Sequence, residues 1–373
     1  MNTCNTNNHN RFRILNKNSE SSTRVVSEKA RPSGLLNLGN TCFMNAMLQV
    51  LVYNTRLREY IQEYRTSILA KSSGMFHEFI SLQDLLLANS CIVSPKLFFK
   101  TVQQASARTG DAMFAGYEQN DCVEFLYFLV DQIHKETKQK VSMNIRGDTK
   151  TETDNLAYLC YKMKKDTCEN QYSQIQEMFH SIQVHTIYNV ETPTQNPTHN
   201  PTITQTKCVS QTAQWGFTLD LPIPSESNSA GKPKQQVTLD ECMEWFFERE
   251  TLDDAGRTKD IAYWSISDIL VITIQRYHHN GRTKANSHVD FPLDELLMGK
   301  YVCGYNPAQY SYECVGVCNH SGRVNGGHYT SYVRLANNRW FHFNDVNVNL
   351  VTSMSEIVSP RAYCLIYRKK NIV

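Results

Sequence analysis

The chain has 373 residues, of which 41% are hydrophobic and 20% are charged, and its formal net charge is +2 at pH 7. These values are typical of a large folded domain and give no reason to expect binding to nucleic acid or to a membrane. The twelve cysteines are irregularly spaced and too sparse for a disulfide scaffold, and the polar N-terminal residues contain no signal-peptide pattern. We therefore expect an intracellular protein, cytoplasmic or nuclear, with reduced thiols.

The first 32 residues are predicted to form a disordered arm. They are rich in Asn, Ser, Thr and Arg, contain few apolar residues, and end at Arg31-Pro32. Ordered structure is predicted to begin at Ser33. Two polar tracts, at 191–201 and 225–234, are predicted loops.

A series of helices is predicted from Thr41 to about residue 140, and the first of them begins at Cys42. Asn40 and Thr41 are suitable capping residues, and Gly39 permits a sharp turn before them. Apolar residues then recur at helical spacing, which predicts burial along one face of this helix.

The position of Cys42 on a first helical turn suggests a nucleophile. A thiol there lies near free N–H groups and the positive end of the helix dipole, which stabilise a thiolate. The alternative is a structural cysteine buried on an apolar helix.

Another helix start is predicted at Asp121. Its carboxylate is suited to cap the helix, and Glu124, three residues later, completes the pattern of a capping box.

From about residue 237 the pattern changes to that of a sheet. The run Ile269–Ile274 is β-branched and almost continuously apolar, which predicts a central strand. Further strand-like runs cover 312–318, 328–335 and 340–343, with a hairpin turn signal at Asn337-Asn338. Helices followed by strands predict an α+β fold.

His328 is the candidate base for the Cys42 nucleophile. It follows a pair of glycines and opens a predicted strand, and the hairpin brings Asn344 and Asp345 back beside it. A cysteine nucleophile needs a base, and the base needs an orienting partner. Taken alone, a histidine beside a glycine pair such as His328 is more often an ordinary strand residue, and Asn344-Asp345 is more often an ordinary turn.

Together these stretches resemble the ubiquitin-specific protease family, papain-like cysteine peptidases that cleave after the C-terminus of ubiquitin. Gly34–Gln49 resembles the cysteine box, Gly116–Glu124 the Gln-Gln-Asp box, and Tyr312–Val348 the histidine box. The motifs occur in family order, and the resemblance implies one catalytic domain over residues 33–370 with a palm, thumb and fingers arrangement.

The resemblance implies the catalytic roles. Cys42 matches the nucleophile, His328 the general base, and Asn37 the side chain that stabilises the oxyanion. Asn344, directly after the Trp-x-x-Phe run, matches the third member of the triad, and Asp345, which is expected to help polarise the site, competes with it for that position.

The resemblance also implies a site for the substrate tail. Asp121 and Glu124 match acidic positions that hold the basic tail, although helix capping alone is the alternative reading. The full set of expected substrate-binding residues is Gln119, Asp121, Glu124, His320, Gly326, Gly327 and Tyr329.

Two departures from the family pattern stand out. Many members carry two Cys-x-x-Cys pairs that bind zinc at the fingertips, whereas this chain contains none. We therefore expect no metal and no cofactor, with the zinc ribbon lost and the fingers held by packing. Alternation along a strand places Cys314 and Cys318 on one face, as core residues. The second departure is Asn120 in the Gln119-Asn120-Asp121 run, where the family has two glutamines before the aspartate.

The expected activity is that of a thiol-dependent deubiquitinase that hydrolyses the (iso)peptide bond after the last glycine of ubiquitin through an acyl-enzyme. The expected partners are ubiquitin and ubiquitinated proteins, and the chain is expected to act as a monomer. The alternatives are a catalytically inactive ubiquitin-binding module and a protease for another ubiquitin-like modifier with a diglycine end.

Overall fold

The computed structural model describes residues 31–71, 74–88, 91–110, 112–191, 205–224, 236–252, 256–277, 284–323 and 326–370. The predicted arm, apart from its last two residues, and most of the two predicted polar loops lie outside the described residues.

In the part of the chain that the structure describes, seven α-helices and two short paired strands precede the larger sheets. The helices are α1 (Cys42–Tyr53), α2 (Thr55–Lys71), α3 (Met75–Ala88), α4 (Lys96–Thr109), α5 (Cys122–Thr137), α6 (Glu152–Cys168) and α7 (Gln174–Phe179). The strands β1 (Gly34–Leu35) and β2 (Ile92–Val93) pair in parallel.

The remaining elements are mostly strands. They are β3 (Ser181–Glu191), β4 (Gln205–Gly216), β5 (Thr218–Pro222), β6 (Gln236–Thr238), helix α8 (Leu239–Phe247), β7 (Glu250–Thr251), β8 (Arg257–Ser265), β9 (Ile269–Gln275), β10 (His288–Asp290), β11 (Leu296–Leu297), β12 (Ser311–Arg323), β13 (Gly326–Arg334), β14 (Trp340–Asn344), β15 (Asn347–Leu350) and β16 (Ala362–Lys369).

The largest sheet has the strand order β15-β14-β13-β12-β16-β9-β5, with β11 paired to β12. The predicted central strand is β9, which lies between β16 and β5. Its side chains alternate between two cores: Ile269 and Val271 pack on the side of α1, and Leu270, Ile272 and Ile274 pack on the side of α8. Both faces of the strand are covered, which explains why its sequence is continuously apolar.

Helix α1 is buried on every side. All twelve of its residues are buried, including the polar Asn45 and Gln49. The prediction that only one face is buried is therefore wrong, because α1 packs against α5 on one side and the large sheet on the other. The Gln49 amide donates to the backbone oxygen of Ser33 (3.0 Å), which removes part of the cost of its burial.

The second sheet, of order β4-β3-β8-β7, has its own small core against α6. Ile182, Val184 and Trp264 pack on Ala157 and Cys160. Within the described ranges, no group of three or more His, Cys, Asp or Glu side chains is arranged to hold a metal ion. In the same ranges no helix is both long and apolar enough to cross a membrane.

Cys314 and Cys318 are both fully buried, but they do not share a face as predicted. Cys314 lies in the core beside α8, whereas Cys318 lies in the core beside α1. The register against β16 shifts between Cys314 and Gly316, which indicates a β-bulge. A bulge inserts one residue and reverses the alternation, so the simple strand pattern fails at this point.

Gly316 allows β12 to lie close to α1, so a larger residue at this position is expected to destabilise the protein. A Cβ atom at this position would lie 2.3 Å from Cγ1 of Val50. Gly316→Ala is expected to lower the free energy of unfolding by about 1–3 kcal/mol, as overpacked cores do, measured by urea denaturation.

Gly116→Ala is the matched control, because a Cβ atom there would meet nothing closer than 4.0 Å. Adding Val50→Ala to Gly316→Ala is expected to cost less than the sum of the two single changes. Additive costs would contradict a direct clash between the two residues.

Candidate active site

Cys42 is the first residue of α1 and is only 4% exposed. The turn before it uses positive φ angles at Gly39 (107°) and Asn40 (54°). Thr41 is the N-cap residue but makes no side-chain capping bond to α1; its hydroxyl accepts from the backbone N–H of Leu38 instead (3.0 Å). The predicted capping role of Thr41 is therefore wrong in this respect, and the first-turn N–H groups remain directed at the Cys42 end of the helix.

Burial raises the pKa of the Cys42 thiol above its ordinary value. The backbone N–H of Tyr329, and those of Phe43 and Cys42 itself, lower this pKa, while the negative charge of Asp345 raises it further. Desolvation is the largest of these influences, and it penalises the charged form. Burial therefore opposes the expected stabilisation of a thiolate, and the backbone N–H groups favour it.

His328 lies on β13, and its partner is Asn344 at the end of β14. Nε2 of the imidazole lies 2.7 Å from Oδ1 of Asn344. With the amide oxygen as acceptor, Nε2 carries the proton and donates, which leaves Nδ1 with a free lone pair. Cys42 contacts the backbone of Tyr329, the residue after His328. The thiol therefore lies near the start of β13, as His328 does.

Asp345 serves a different group from its neighbour Asn344. Its Oδ2 accepts from Nδ2 of Asn37 (2.9 Å), and its Oδ1 accepts from Nδ2 of Asn45 (2.8 Å). The backbone oxygen of Asp345 also accepts from the N–H of Leu35 (2.9 Å). The two residues that compete for one role in the sequence thus make separate contacts, Asn344 with the imidazole and Asp345 with two amides.

Sequence reasoning missed Asn45. This residue is 2% exposed and lies three positions after Cys42, in the middle of an apolar helix. A buried amide needs a hydrogen-bonding partner, so its presence in such a helix was the signal for a polar contact nearby.

The predicted helix cap at Asp121 is confirmed. Its Oδ1 accepts from the backbone N–H groups of Val123 (2.7 Å) and Glu124 (3.2 Å) at the start of α5. Its Oδ2 accepts from the Tyr329 hydroxyl (3.0 Å), and the hydroxyl of Tyr363, which sequence reasoning missed, also bonds to Asp121. Asp121 is therefore held in place before any ligand is bound.

The glycine pair at the start of β13 lies between α5 and β12. Gln119 Oε1 accepts from the backbone N–H of Gly327 (2.8 Å). On the other side, a Cβ atom at Gly327 would lie 2.2 Å from Nε2 of His320, so only glycine fits there. The His320 ring also lies 4.5 Å from the Tyr329 ring, measured between centroids.

The structure thus brings residues from distant parts of the sequence to the ends of α1, α5, β12, β13 and β14. This arrangement is that of a papain-like cysteine peptidase, with a nucleophile on a helix start and an imidazole–amide pair on a sheet. The chain belongs to the ubiquitin carboxyl-terminal hydrolase family, because the model of that family matches residues 33–367. The predicted family and the α+β palm, thumb and fingers fold are both confirmed.

Relatives in several organisms support this assignment. Ubiquitin carboxyl-terminal hydrolase 2 of Bos taurus is 30% identical over 362 residues, which cover 90% of this chain and 54% of that protein. Usp2 of Drosophila melanogaster is 27% identical and is matched over 90% of this chain and 34% of its own length. The chain therefore spans about half of the bovine relative and a third of the fly relative. A probable ubiquitin carboxyl-terminal hydrolase, R319 of Acanthamoeba polyphaga mimivirus, is 23% identical and is matched over 90% of its length.

Solved structures show the same fold. The deubiquitinating (DUB) module of SAGA containing Ubp8 bound to monoubiquitin matches with a TM-score of 0.65 and 23% identity, over 91% of this chain and 70% of that chain. The Ubp8 module bound to ubiquitin aldehyde matches with a TM-score of 0.64 and 22% identity, over 94% and 72% of the two chains.

The opposed influences on the Cys42 thiol lead to a prediction for Asp345→Asn. Removing the negative charge lowers the pKa of Cys42, so alkylation of Cys42 by iodoacetamide at pH 7 is expected to become severalfold faster. Mass spectrometry of the Cys42 peptide separates it from exposed thiols such as Cys91. Asp148→Asn, a change at an exposed carboxylate, is the control and should leave the rate unchanged. An unchanged or slower rate in Asp345→Asn would contradict the electrostatic role of Asp345.

Proposed function

We propose that the chain is a thiol-dependent deubiquitinase that cleaves the (iso)peptide bond after the C-terminal glycine of ubiquitin. The observation that carries the proposal is the pairing of a nucleophile position with an oriented base. Cys42 lies at a helix start against the strand of His328, and His328 Nε2 lies 2.7 Å from Asn344. The names of the relatives, all ubiquitin carboxyl-terminal hydrolases, supply the substrate class.

In the proposed reaction, Nδ1 of His328 removes the proton from the Cys42 thiol as sulfur attacks the carbonyl carbon of the last glycine. The imidazolium then protonates the leaving amine, and the acyl-enzyme remains on Cys42. Water hydrolyses this intermediate with His328 again as the base. The raised pKa of Cys42 means that the base is needed at the moment of attack.

We assign oxyanion stabilisation to Asn37, together with the backbone N–H of Cys42. The Asn37 amide nitrogen carries two hydrogens, and one of them is donated to Asp345. The second is available to the oxygen that becomes negative in the transition state. Asp345 fixes the direction of that donor, so we assign it a positioning role.

We assign the third position of the triad to Asn344. Its oxygen holds the imidazole in the tautomer that leaves Nδ1 free. A neutral amide orients the ring but offsets the charge of an imidazolium less than a carboxylate would.

For the substrate tail, we propose that Gly326 and Gly327 line a narrow passage that accepts only a diglycine end. A Cβ atom at Gly327 would meet the His320 ring and the backbone oxygen of Ser321, so only glycine fits at this end of β13, and its bare backbone can lie close to a bound tail. Asp121 and Glu124 would then attract the basic residues of the tail, and Asp121 would keep its capping bonds while doing so. We propose that ubiquitinated proteins are the substrates and that the chain acts as a monomer.

The first test uses a ubiquitin probe with a C-terminal electrophile. Wild-type protein is expected to form a covalent adduct, and Cys42→Ala is expected to form none. Wild-type protein that binds ubiquitin but forms no adduct and cleaves no substrate would leave only an inactive binding module. If a probe made from another diglycine-ended modifier labels the protein and the ubiquitin probe does not, the assigned substrate would be that modifier instead of ubiquitin.

The second test concerns the oxyanion. Asn37→Ala is expected to reduce kcat on a ubiquitin–coumarin substrate by about 10²–10³-fold with a small change in KM, because the lost donor acts in the transition state. Asn155→Ala, on an exposed position of α6, is the matched control and should retain wild-type kinetics. A change in KM alone would contradict the assigned role.

A further inference from the structure

Lys284 links Tyr277 to His320 at the edge of the site. It directly follows residues 278–283, which connect β9 to β10, and it pairs with Tyr277 in an antiparallel bridge. The backbone N–H of Ala285 donates to the oxygen of Arg276 (2.6 Å), which closes the same stem. The stem residues on both sides of the connection are thus fixed to each other.

The Lys284 ammonium group reaches from this stem to His320 on β12. Nζ donates to the backbone oxygen of His320 (2.6 Å) and lies 3.1 Å from Nδ1 of its ring. The Tyr277 hydroxyl lies 2.7 Å from the same Nδ1. His320 is 5% exposed, so these contacts are largely shielded from water. Charge-assisted hydrogen bonds of this kind are about twice as strong as neutral ones.

The protonation states of His320 and Lys284 agree with these hydrogen bonds. Burial and the positive charge of Lys284 lower the pKa of His320 to about 4, so the ring is neutral at pH 7 and its Nδ1 accepts from Tyr277. Burial and the nearby Arg276 lower the pKa of Lys284 to about 8. Lys284 is therefore still predominantly cationic at pH 7 and loses its charge above pH 8.

His320 in turn supports the glycine passage. Its Nε2 lies so close to Gly327 that an added Cβ atom would be 2.2 Å away. His320 also pairs across the strands with Tyr329, and Ser321 pairs with His328. A shift of the His320 ring would therefore move Gly327 at the start of β13.

We propose that Lys284 is a positioning residue that, through His320, sets the width of the Gly326-Gly327 passage for the substrate tail. This inference rests on the proposed function. Among the described residues, no contact joins Lys284 to a catalytic side chain, so its effect is on binding of the tail rather than on the chemical step.

The test compares Lys284→Met with Lys284→Arg. Methionine keeps a long apolar chain but loses the donors and the charge, whereas arginine retains both. Lys284→Met is expected to raise KM for ubiquitin–coumarin by about tenfold or more, with kcat changed far less. In a Cys42→Ala background, the Kd for ubiquitin should rise by a similar factor. Lys284→Arg should recover most of the loss.

Lys300→Met is the matched control, since Lys300 is a lysine that pairs with Asp240 and Glu244 away from this site. It should retain wild-type KM and Kd. The midpoint of thermal unfolding, measured for every variant, separates a local effect from a general loss of folding.

A pH profile gives a readout that a purely structural role would not move. As pH rises through about 8, Lys284 loses its charge, and KM of the wild-type protein is expected to rise. Among the residues that the structure describes, the groups that face Lys284 are Arg276, Tyr277 and His320; the ring of His320 is already neutral across this range. In Lys284→Arg the charge persists, so this rise in KM should disappear.

Wild-type KM and Kd in Lys284→Met would overturn the inference while leaving the deubiquitinase proposal intact. Arginine as harmful as methionine would overturn it as well, because shape alone would then explain the effect. A wild-type protein that neither cleaves nor binds ubiquitin would overturn the proposed function, and the inference with it.

Discussion

The carboxylate of Asp345 holds together three parts of the chain that are distant in sequence. It belongs to the turn between β14 and β15, and it accepts from Asn37 in the loop before α1 and from Asn45 within α1. The left-handed backbone at Asp345 (φ 50°) ends β14, so that Asn344 faces the imidazole while Asp345 faces the helix. The position of the nucleophile relative to its base therefore depends on this one carboxylate.

The same carboxylate disfavours the thiolate form of Cys42. Its negative charge adds to burial in raising the pKa of the thiol, and the N–H groups at the helix start only partly oppose this. A site of this kind does not depend on a stored thiolate. In the proposed reaction it depends on an imidazole held ready to take the proton, and the contact from Asn344 provides that. A neutral amide there adds no second negative charge beside the thiol, which would raise its pKa further.

The features of the fold that depend on neighbouring residues could be predicted from the sequence. The cap at Asp121 follows from capping chemistry, and the start of α1 at Cys42 and the doubly covered strand β9 follow from the apolar pattern. The partners of Asp345 could not be predicted, because its contacts join residues that only the tertiary fold brings together. The complete burial of α1 was hidden because Asn45 and Gln49 read as a polar face, although their amides bond inside the protein. No residue type in the sequence indicates the bulge after Cys314. The alternation of side chains along β12, which the bulge reverses, therefore looked regular.

The proposed glycine passage depends on the residues that hold its backbone in place as much as on the two glycines. Glycine allows a backbone to approach closely, but it loses more conformational freedom on folding than any other residue. A pair of glycines therefore cannot define a narrow passage by itself. Gly327 is fixed from one side by Gln119, next to α5, and from the other by the ring of His320 on β12. In the proposed function, selection of a diglycine end is thus a property of these two supports, and of the groups that hold His320, more than of the turn itself.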